Sequence, residues 1–456
     1  MYSFIPKTVV PEMIWPALPG RQASSMLAVQ YQLAQSQWWS PELLKQHQLK
    51  QLTILLKHAC ETTPYYRNQN TAQWFSPEKP LTWDQWSRIP ILSRSDIQDA
   101  GEQLASENIP KQHGNVNQVQ TSGSTGRPIT AYRTGIMEFF WRTCSLREHL
   151  WHKRDLSTKF AAIRPEGDLE PGKGISSPEW GASINTVFET GPSVVLNSRT
   201  DIKTQAEWLV ENNPEYLLSL PSNIIALCRH FQKTGQQLSN LREVRTYGEV
   251  AGDEVRKLCQ ETWGTRVTDI YSSTEAGHIA LQCPEHEHYH ILSENIAVEI
   301  LNDKGENCEP DETGRVIVTP LHNFAMPLIR YAIGDYAVVG DPCSCGRGLP
   351  VLKCILGRER NMLTLPDRRQ HYPSFPAELW TEIAPIRQLQ IIQRDSENMI
   401  TRLVVERPLE KTEEEKLVTM LQERFDYPFH ISFEYIDKIE RSRSGKFEDF
   451  ISEVSN

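Results

Sequence analysis

The alternation of short apolar segments with helical patterns in the middle of the chain restricts its fold more than any other feature. Four apolar runs have the length of buried strands: Phe160–Ile163, Val194–Leu196, Glu243–Tyr247 and Val267–Tyr271. Stretches with helical spacing, such as Lys203–Asn212 and Ser222–Lys233, lie between them. This alternation predicts an α/β fold with a mixed or parallel sheet.

The length of the chain predicts more than one domain. Its 456 residues exceed what a single hydrophobic core usually accommodates, so we expect two or three domains. From Leu292 to Val339, alternating segments around the turn Asn302–Gly305 predict a smaller β-rich portion. After Gly357 the pattern predicts a compact α+β module, with strands near Gln388–Gln393, Thr401–Val405 and Phe429–Tyr435.

Capping patterns predict where two helices begin. Ser40 followed by Pro41 has the pattern of an N-cap with proline at the first helical position. In the C-terminal module, a helix over Thr412–Arg424 has capping-box spacing between Thr412 and Glu415.

Composition and charge exclude several classes of protein. Apolar residues make up 39% and charged residues 23%, which fits a globular chain, and the net charge of −10 gives no reason to expect nucleic acid as a partner. No apolar segment approaches the roughly 18 residues of a membrane span, and the N-terminus lacks the pattern of a secretory signal. The nine Cys favour reduced thiols or a metal site over a disulfide framework. We expect a cytoplasmic protein without a membrane partner.

The segment Thr121–Pro128 is a dense cluster of small, hydroxylated and glycine residues between two predicted strands. Glycines let backbone N–H groups converge on an anion, and hydroxyl groups add donors. A phosphate-binding loop and a flexible solvent-exposed turn both explain this composition, and the Gly-Lys-Ser/Thr ending of a Walker loop is missing. The candidate phosphate-binding residues are Ser122, Gly123, Ser124, Thr125 and Gly126.

The string TSGSTGRPI resembles the phosphate-binding motif of the adenylate-forming superfamily, which includes the acyl-CoA synthetases. Further motifs of that superfamily follow in the same order. The segment Tyr271–Gly277 resembles the motif with a Thr-Glu pair, which implies that Thr274 contacts the α-phosphate and Glu275 helps to bind Mg²⁺. The resemblance also implies that the neighbouring Ser273 binds the nucleotide. A helix N-cap of the Ser-x-x-Glu type also satisfies this spacing.

Two further segments resemble parts of the nucleotide site. Gly248 and Glu249 resemble the adenine-side segment, although a strand-to-helix turn has the same appearance. Arg330–Asp335 resembles the Arg-Tyr-x-Thr-Gly-Asp motif, in which Asp335 would accept hydrogen bonds from the ribose hydroxyls. Ile333 stands in place of the motif's Thr, and an ordinary turn aspartate is the alternative.

The last two motifs lie at the domain junction and near the C-terminus. Leu356–Arg358 resembles the junction whose arginine, here Arg358, reaches the ribose or phosphate, with a surface loop as the alternative. The hinge aspartates of the family are replaced by Glu359, Arg360 and Asn361. This departure leaves open whether thioester formation, the second half-reaction, follows the course that is standard in the family. Lys446, in RSRSGK, resembles the adenylation lysine, a mobile charge between the substrate carboxylate and the α-phosphate. A solvated basic patch is the alternative.

Cysteine and histidine spacing predicts a zinc site in the β-rich portion near residues 283–345. Cys283, Cys343 and Cys345 offer three thiolates, and a histidine from HEHYH completes a tetrahedral set. The alternative is a group of unrelated cysteines and a surface histidine. The segments 55–67 and 88–97 and this Cys-His pattern resemble the phenylacetate–CoA ligase branch, some members of which hold structural zinc here. His290-Ile291 matches the branch's His-Ile, so we prefer His290 to His286 and His288.

The resemblance implies a large multi-sheet adenylation domain at residues 1–356 and a small mobile α+β domain at 357–456. It also implies that ATP and Mg²⁺ activate a carboxylic acid, aromatic or arylalkanoic, as an acyl-adenylate. Coenzyme A is the implied acceptor, with an acyl carrier protein or an amine as alternatives. A catalytically inactive zinc-stabilised binding protein is a further hypothesis. We expect a monomer or a homodimer.

Overall fold

A computed structural model describes residues 5–69, 75, 79–121, 128–166, 169–358, 361–367, 369–371, 373, 375, 377–439 and 447–454. The chain divides into two compact units, Met1–Ile355 and Leu356–Asn456. In the first unit the described α-helices are α1 (Arg21–Ser36), α2 (Pro41–Thr62), α3 (Pro64–Arg67), α4 (Trp83–Ser87), α5 (Arg94–Ala100), α6 (Gly135–Trp151), α7 (Ala182–Asn185), α8 (Ile202–Asn212), α9 (Pro221–Thr234) and α10 (Asp253–Trp263). The second unit contains α11 (Ala377–Thr381) and α12 (Lys411–Phe425). Among the described helices, none combines the length and the apolarity that a bilayer crossing requires.

The strands of the first unit form a two-stranded hairpin and one large sheet. The hairpin consists of β1 (Val116–Gln120) and β2 (Thr130–Thr134). The sheet strands, in chain order, are β3 (Phe160–Arg164), β4 (Gly174–Ser177), β5 (Ser193–Asn197), β6 (Tyr216–Ser219), β7 (Glu243–Tyr247), β8 (Arg266–Ser273), β9 (Gly277–Gln282), β10 (Tyr289–Ile291), β11 (Ile296–Leu301), β12 (Thr313–Pro320), β13 (Tyr331–Val339) and β14 (Val351–Arg358). In the described part of the chain they are arranged as β11-β12-β13-β14-β10-β9-β8-β7-β6-β3-β5-β4.

The predicted α/β fold is confirmed, and the four apolar runs are strands β3, β5, β7 and β8. The series β5-β3-β6-β7-β8 is parallel throughout. Parallel strands are buried on both faces, which explains the continuous apolar runs in β3 and β5. The buried strand β7 also contains Glu243 and Arg245. Residues of α8, α9 and α10 pack with these strands around Leu217 and Val244 in one core.

The sheet changes direction at the end of β8. Strand β9 returns antiparallel to β8, and the strands beyond it carry the β-rich portion predicted from the sequence. Ligand sites of open α/β sheets lie at the carboxyl ends of the parallel strands. The ends of β7 and β8 lie side by side, and they lead into Gly248-Glu249 and Thr274-Glu275, respectively.

Two N-terminal segments support the connection between β12 and β13. Helix α2 begins as predicted, with the Ser40 hydroxyl accepting a hydrogen bond from the Leu43 amide at 3.3 Å. Just after this helix, the buried Tyr66 hydroxyl donates to the Pro327 carbonyl at 2.8 Å. Leu92 then forms an isolated parallel bridge with Tyr331. The segments 55–67 and 88–97 therefore hold the start of β13 in place.

The second unit has its own sheet and core. Its strands are β15 (Leu363–Thr364), β16 (Gln370–His371), β17 (Ile386–Gln393), β18 (Asn398–Val405), β19 (His430–Tyr435) and β20 (Phe450–Ser452), of which the larger sheet has the order β19-β18-β17-β20. Leu417, Leu421 and Phe425 of α12 pack against this sheet. The predicted strands and helix of the C-terminal module are present.

The predicted capping box of α12 is wrong. The helix begins at Lys411, and its capping box is formed by Glu410 and Glu413 rather than by Thr412 and Glu415. Arg407 also binds the Glu413 carboxylate, at 2.7 and 2.9 Å. This additional ion pair fixes Glu413 as the reciprocal partner of the Glu410 amide.

A buried cluster of charges joins α6 to β7. Arg154 contacts both Glu148 and Glu243 at 2.5 Å, and Arg245 pairs with Glu148. All four side chains are at most 6% exposed. Burial alone would raise the pKa of Glu148, but the guanidinium groups of Arg154 and Arg245 hold it well below its usual range. The two arginines and two glutamates therefore neutralise one another only when all four are present.

We predict that Glu148→Gln lowers the free energy of unfolding by about 3–5 kcal/mol, because removing one member of a buried ion pair leaves its partner's charge uncompensated. Denaturant-induced unfolding measures this change. The matched control is Glu207→Gln on the exposed Lys203–Glu207 pair, which should change stability by less than about 0.5 kcal/mol. Equal changes in the free energy of unfolding would contradict the prediction that the buried cluster stabilises the fold more than an exposed ion pair does.

Candidate functional site

Thr274 and Glu275 lie in the tight turn between β8 and β9. The Ser273 hydroxyl accepts a hydrogen bond from the Ala276 amide at 3.0 Å, and Gly277 has a φ of +86° that only glycine adopts easily. The turn connects two antiparallel strands, so the Ser-x-x-Glu spacing does not start a helix here. It leaves Thr274 exposed and Glu275 buried, at 2% exposure.

Two tyrosine hydroxyls connect the Thr-Glu motif with the Asp335 motif. Tyr271 donates to Oδ2 of Asp335 at 2.7 Å, and Tyr331 donates to Oε1 of Glu275 at 3.3 Å. In each motif the tyrosine precedes the carboxylate by four residues, and each tyrosine contacts the carboxylate of the other motif. The structure thus brings Glu275 and Asp335 to one site, with each carboxylate oriented by the other motif's tyrosine.

The residue just before the strand that contains Asp335 has an unusual backbone conformation. Arg330 has a φ of +49° and is 3% exposed. Its guanidinium donates to both Glu299 oxygens, at 2.9 and 3.1 Å, and to the Ser87 carbonyl at 2.6 Å. Arg330 is therefore an anchor for β13. Ile333, the departure from the family motif, is 1% exposed and packs in the hydrophobic core.

Gly248 and Glu249 follow β7 at the same end of the sheet. The Glu249 carboxylate accepts hydrogen bonds from the Ser222 amide at 2.9 Å and the Ser222 hydroxyl at 3.0 Å. Ser222 lies in the first turn of α9, where the partial positive charge of the helix favours a carboxylate. The Glu249 side chain therefore caps α9. Gly248, with a φ of +77°, presents its backbone at the strand end.

Several predicted site residues lie outside the described part of the chain. These are Ser122, Gly123, Ser124, Thr125, Gly126 and Lys446, together with the departing hinge residues Glu359 and Arg360. The base of the predicted phosphate loop is described. Thr121 and Ile129 are joined by a backbone hydrogen bond of 2.9 Å, and the Thr121 hydroxyl accepts from the Ile129 amide at 2.9 Å. Arg358 is the last residue of β14 and belongs to the second unit.

The four predicted metal ligands lie together. The Cys283 and Cys343 sulfurs are 3.8 Å apart, and the Cys345 sulfur is 3.4 Å from Nε2 of His290. Two thiolates at about 2.3 Å from a tetrahedral zinc ion would be about 3.8 Å apart, so the observed spacing fits zinc. The ligand atoms that all lie within 4.8 Å of one another are those of Cys283, His288, His290 and Cys343. This set includes His288, which ranked below His290 in the sequence analysis, and it does not include Cys345.

The protonation of these groups also suits a metal. Burial lowers the pKa of His290 to about 3, so its imidazole is neutral and able to coordinate. Burial raises the pKa of the Cys343 thiol to about 12. Burial opposes ionisation of Cys345 as well, but hydrogen bonds from Arg347 outweigh it and lower that pKa. A cation bound here would displace the remaining thiol protons.

The chain matches two protein families in separate regions. The AMP-binding enzyme family matches residues 178–324, and the CapK C-terminal domain family matches residues 374–453. A phenylacetate-coenzyme A ligase of Thermus thermophilus is 26% identical over 337 residues, which cover 71% of this chain and 72% of the relative. A phenylacetate-coenzyme A ligase of Pseudomonas putida is 23% identical over 363 residues, covering 77% of each protein.

Two solved CoA ligases share the fold over most of the chain. A 2-hydroxyisobutyryl-CoA ligase in the postadenylation state has a TM-score of 0.68 at 17% identity, covering 89% of each chain. The anthranilate CoA ligase AuaEII has a TM-score of 0.53 at 15% identity, covering 73% of this chain and 66% of its own. In sequence this chain is therefore similar to phenylacetate-coenzyme A ligases, and it shares the fold of solved CoA ligases.

Proposed function

We propose that this protein uses ATP to activate a carboxylic acid as an acyl-adenylate and then transfers the acyl group to coenzyme A. The observation that carries this proposal is the pair of reciprocal contacts Tyr271–Asp335 and Tyr331–Glu275. They hold two carboxylates at one end of the sheet, one suited to ribose hydroxyls and the other to a hard cation. The named phenylacetate-coenzyme A ligases support the same chemistry.

The nucleotide would be positioned by residues of the two motifs. Asp335 accepts hydrogen bonds from the vicinal ribose hydroxyls, and the Tyr271 hydroxyl fixes the orientation of this carboxylate. Glu275, oriented by Tyr331, would hold Mg²⁺, which neutralises charge on the phosphate oxygens when bound. Thr274, exposed in the same turn, can donate its hydroxyl to the α-phosphate.

The first step joins the acid to the nucleotide. A carboxylate oxygen of the acid attacks the α-phosphorus, and the bond to pyrophosphate breaks. Lys446 would stabilise the charge that develops around the α-phosphate, and alignment of the reactants contributes the rest of the acceleration. In the second step the coenzyme A thiolate attacks the acyl carbonyl carbon, and the bond to AMP breaks. We propose an arylalkanoic or aromatic acid as substrate, because the named relatives act on phenylacetate.

A structural zinc ion is the second part of the proposal. Cys283, His290, Cys343 and Cys345 would supply four ligands, which close the coordination sphere and leave no position for a substrate. His288 is the alternative imidazole ligand. The metal would stabilise the connections between strands and take no part in acyl transfer.

An acid panel tests the proposed reaction. We expect ATP–pyrophosphate exchange with phenylacetate or a related aryl acid, and net AMP release that depends on coenzyme A. The panel includes benzoates and short aliphatic and hydroxy acids as comparisons. AMP release that is unaffected by coenzyme A would contradict the proposed acceptor, and a lack of exchange with every acid would contradict adenylation.

We predict that Lys446→Ala lowers the rate of ATP–pyrophosphate exchange by about 10²–10³-fold, because one preorganised charge at the reacting centre is lost. The melting temperature should not change. The matched control is Lys411→Ala in the same unit, where the side chain is 89% exposed. An unchanged exchange rate in Lys446→Ala would remove this lysine from the mechanism.

We predict that Tyr271→Phe raises the KM for ATP by roughly tenfold and leaves the KM for the acid unchanged, because the Asp335 carboxylate loses its orienting hydrogen bond. Steady-state kinetics with each substrate varied in turn separates the two constants. Tyr435→Phe, which removes an exposed hydroxyl in the second unit, is the control. A change in the KM for the acid alone would be inconsistent with the assigned role.

We predict that Cys343→Ser loses protein-bound zinc and lowers the melting temperature by several degrees, while the KM for ATP stays within about twofold. Elemental analysis and thermal unfolding measure the two effects. Cys308→Ser, outside the cluster, should retain the metal of the wild-type protein.

Two histidine variants identify the imidazole ligand. His290→Gln should lose zinc, and His288→Gln should keep it. The reverse result would assign His288 as the ligand, and a wild-type protein without zinc would eliminate the metal site.

A further inference from the structure

Arg133 is a half-buried cation close to the proposed magnesium ligand. It lies in β2, the strand that follows the predicted phosphate loop, and its Nε is shielded from solvent without a hydrogen-bond partner in the described part of the chain. Its guanidinium carbon lies 5.4 Å from the centre of the Trp141 ring. Glu138, the nearby acid on α6, instead pairs with Arg142 at 3.5 Å. Among the described residues, Arg133 therefore has a ring contact but no ion pair.

The environment of Arg133 disfavours a cation that lacks a close counterion. Burial lowers the pKa of Arg133, and the charges of Glu138 and Glu275 offset this effect only in part. Stacking on Trp141 limits the orientations of the guanidinium plane. A partly buried, oriented guanidinium is suited to binding an oxyanion through two parallel hydrogen bonds.

The surrounding charges indicate a polyanion. Glu275 acts electrostatically on Arg133, and if it held Mg²⁺, the two charges of the ion would exceed the single charge of this carboxylate. Trp141 also lines a cavity with Ala276, Gly277, His278 and His322, and no carboxylate is found among its described lining residues. Trp141, the ring that Arg133 contacts, therefore borders a cavity whose described lining supplies no acid to pair with the guanidinium.

We infer that Arg133 binds oxygens of the β- and γ-phosphates of ATP, and of the pyrophosphate product. This inference rests on the proposed adenylation. The position of β2 favours phosphate over a second carboxylate on the acid, because this strand extends directly from the base of the predicted phosphate loop. AMP and the acyl-adenylate lack these phosphates, so Arg133 distinguishes ATP from both.

Direct binding measurements test this role without requiring turnover. Calorimetry with Mg²⁺ compares three ligands: α,β-methylene-ATP, inorganic pyrophosphate and AMP. We expect Arg133→Met to lower the affinities for α,β-methylene-ATP and pyrophosphate by roughly tenfold or more. The affinity for AMP should stay within about twofold of the wild-type value. Arg133→Lys, which keeps the charge but loses the planar fork, should give an intermediate loss.

Arg142→Met is the matched control, since Arg142 lies on α6 next to Trp141 and pairs with Glu138 at the surface. We expect all three ligands to bind this variant as they bind the wild type. Melting temperatures establish that the Arg133 variants are folded. If Arg133→Met does not fold, the ratio of pyrophosphate to AMP affinity in Arg133→Lys decides the question.

Three results would overturn the inference. The first is that Arg133→Met lowers the affinities for AMP and for the ATP analogue equally, and the second is that it changes neither affinity. The third is that the substitution raises only the KM for the acid, which would mean that the guanidinium binds the acid. A wild-type protein that binds the ATP analogue but forms no adenylate would overturn the proposed function instead. In that case the affinity ratios still decide the role of Arg133.

Discussion

The hydrogen bonds from Tyr271 to Asp335 and from Tyr331 to Glu275 are the constraint on which the arrangement of the site depends. Strands β8 and β13 are separated by β9, β10 and β14 in the sheet order. In a flat sheet, four spacings of about 4.8 Å would keep the two strands about 19 Å apart, beyond the reach of a tyrosine side chain. The contacts therefore require the sheet to curl strongly between β8 and β13. Curling brings together two motifs that lie about 60 residues apart in the sequence.

Residues outside the nucleotide site, which have no role in the proposed chemistry, support the curled arrangement of the sheet. Arg330 takes a left-handed backbone conformation, which is costly for a side chain with a Cβ, and its bidentate contact with Glu299 compensates for that cost. Tyr66 and Leu92 bind the backbone on either side of Arg330. The start of β13 is thereby fixed in position, and Tyr331 and Asp335 are directed toward β8.

The features predicted from sequence are those with a local pattern. Buried parallel strands such as β3 and β5 contain continuous apolar runs, and Ser40-Pro41 marks a helix start, because burial and capping depend on nearby residues. The partners of Arg330 and Glu249 were missed, since Glu299 and Ser222 are about 30 residues away and carry no periodic signal. A local rule also failed at α12, where two overlapping spacings fit a capping box. Glu413 forms the capping box rather than Glu415, and it also pairs with Arg407, an ion pair that the spacing does not reveal.

The cysteine cluster is positioned to stabilise the curl of the sheet. Cys283 follows β9, His290 belongs to β10, and Cys343 and Cys345 precede β14. These are the three strands that lie between β8 and β13. A metal held by the cluster would connect all three strands at one end. The fold would then maintain the relative position of the two tyrosine–carboxylate contacts through a metal that lies outside the nucleotide site. A metal in this position would act on the site through the geometry of the sheet, and only indirectly on the bound nucleotide.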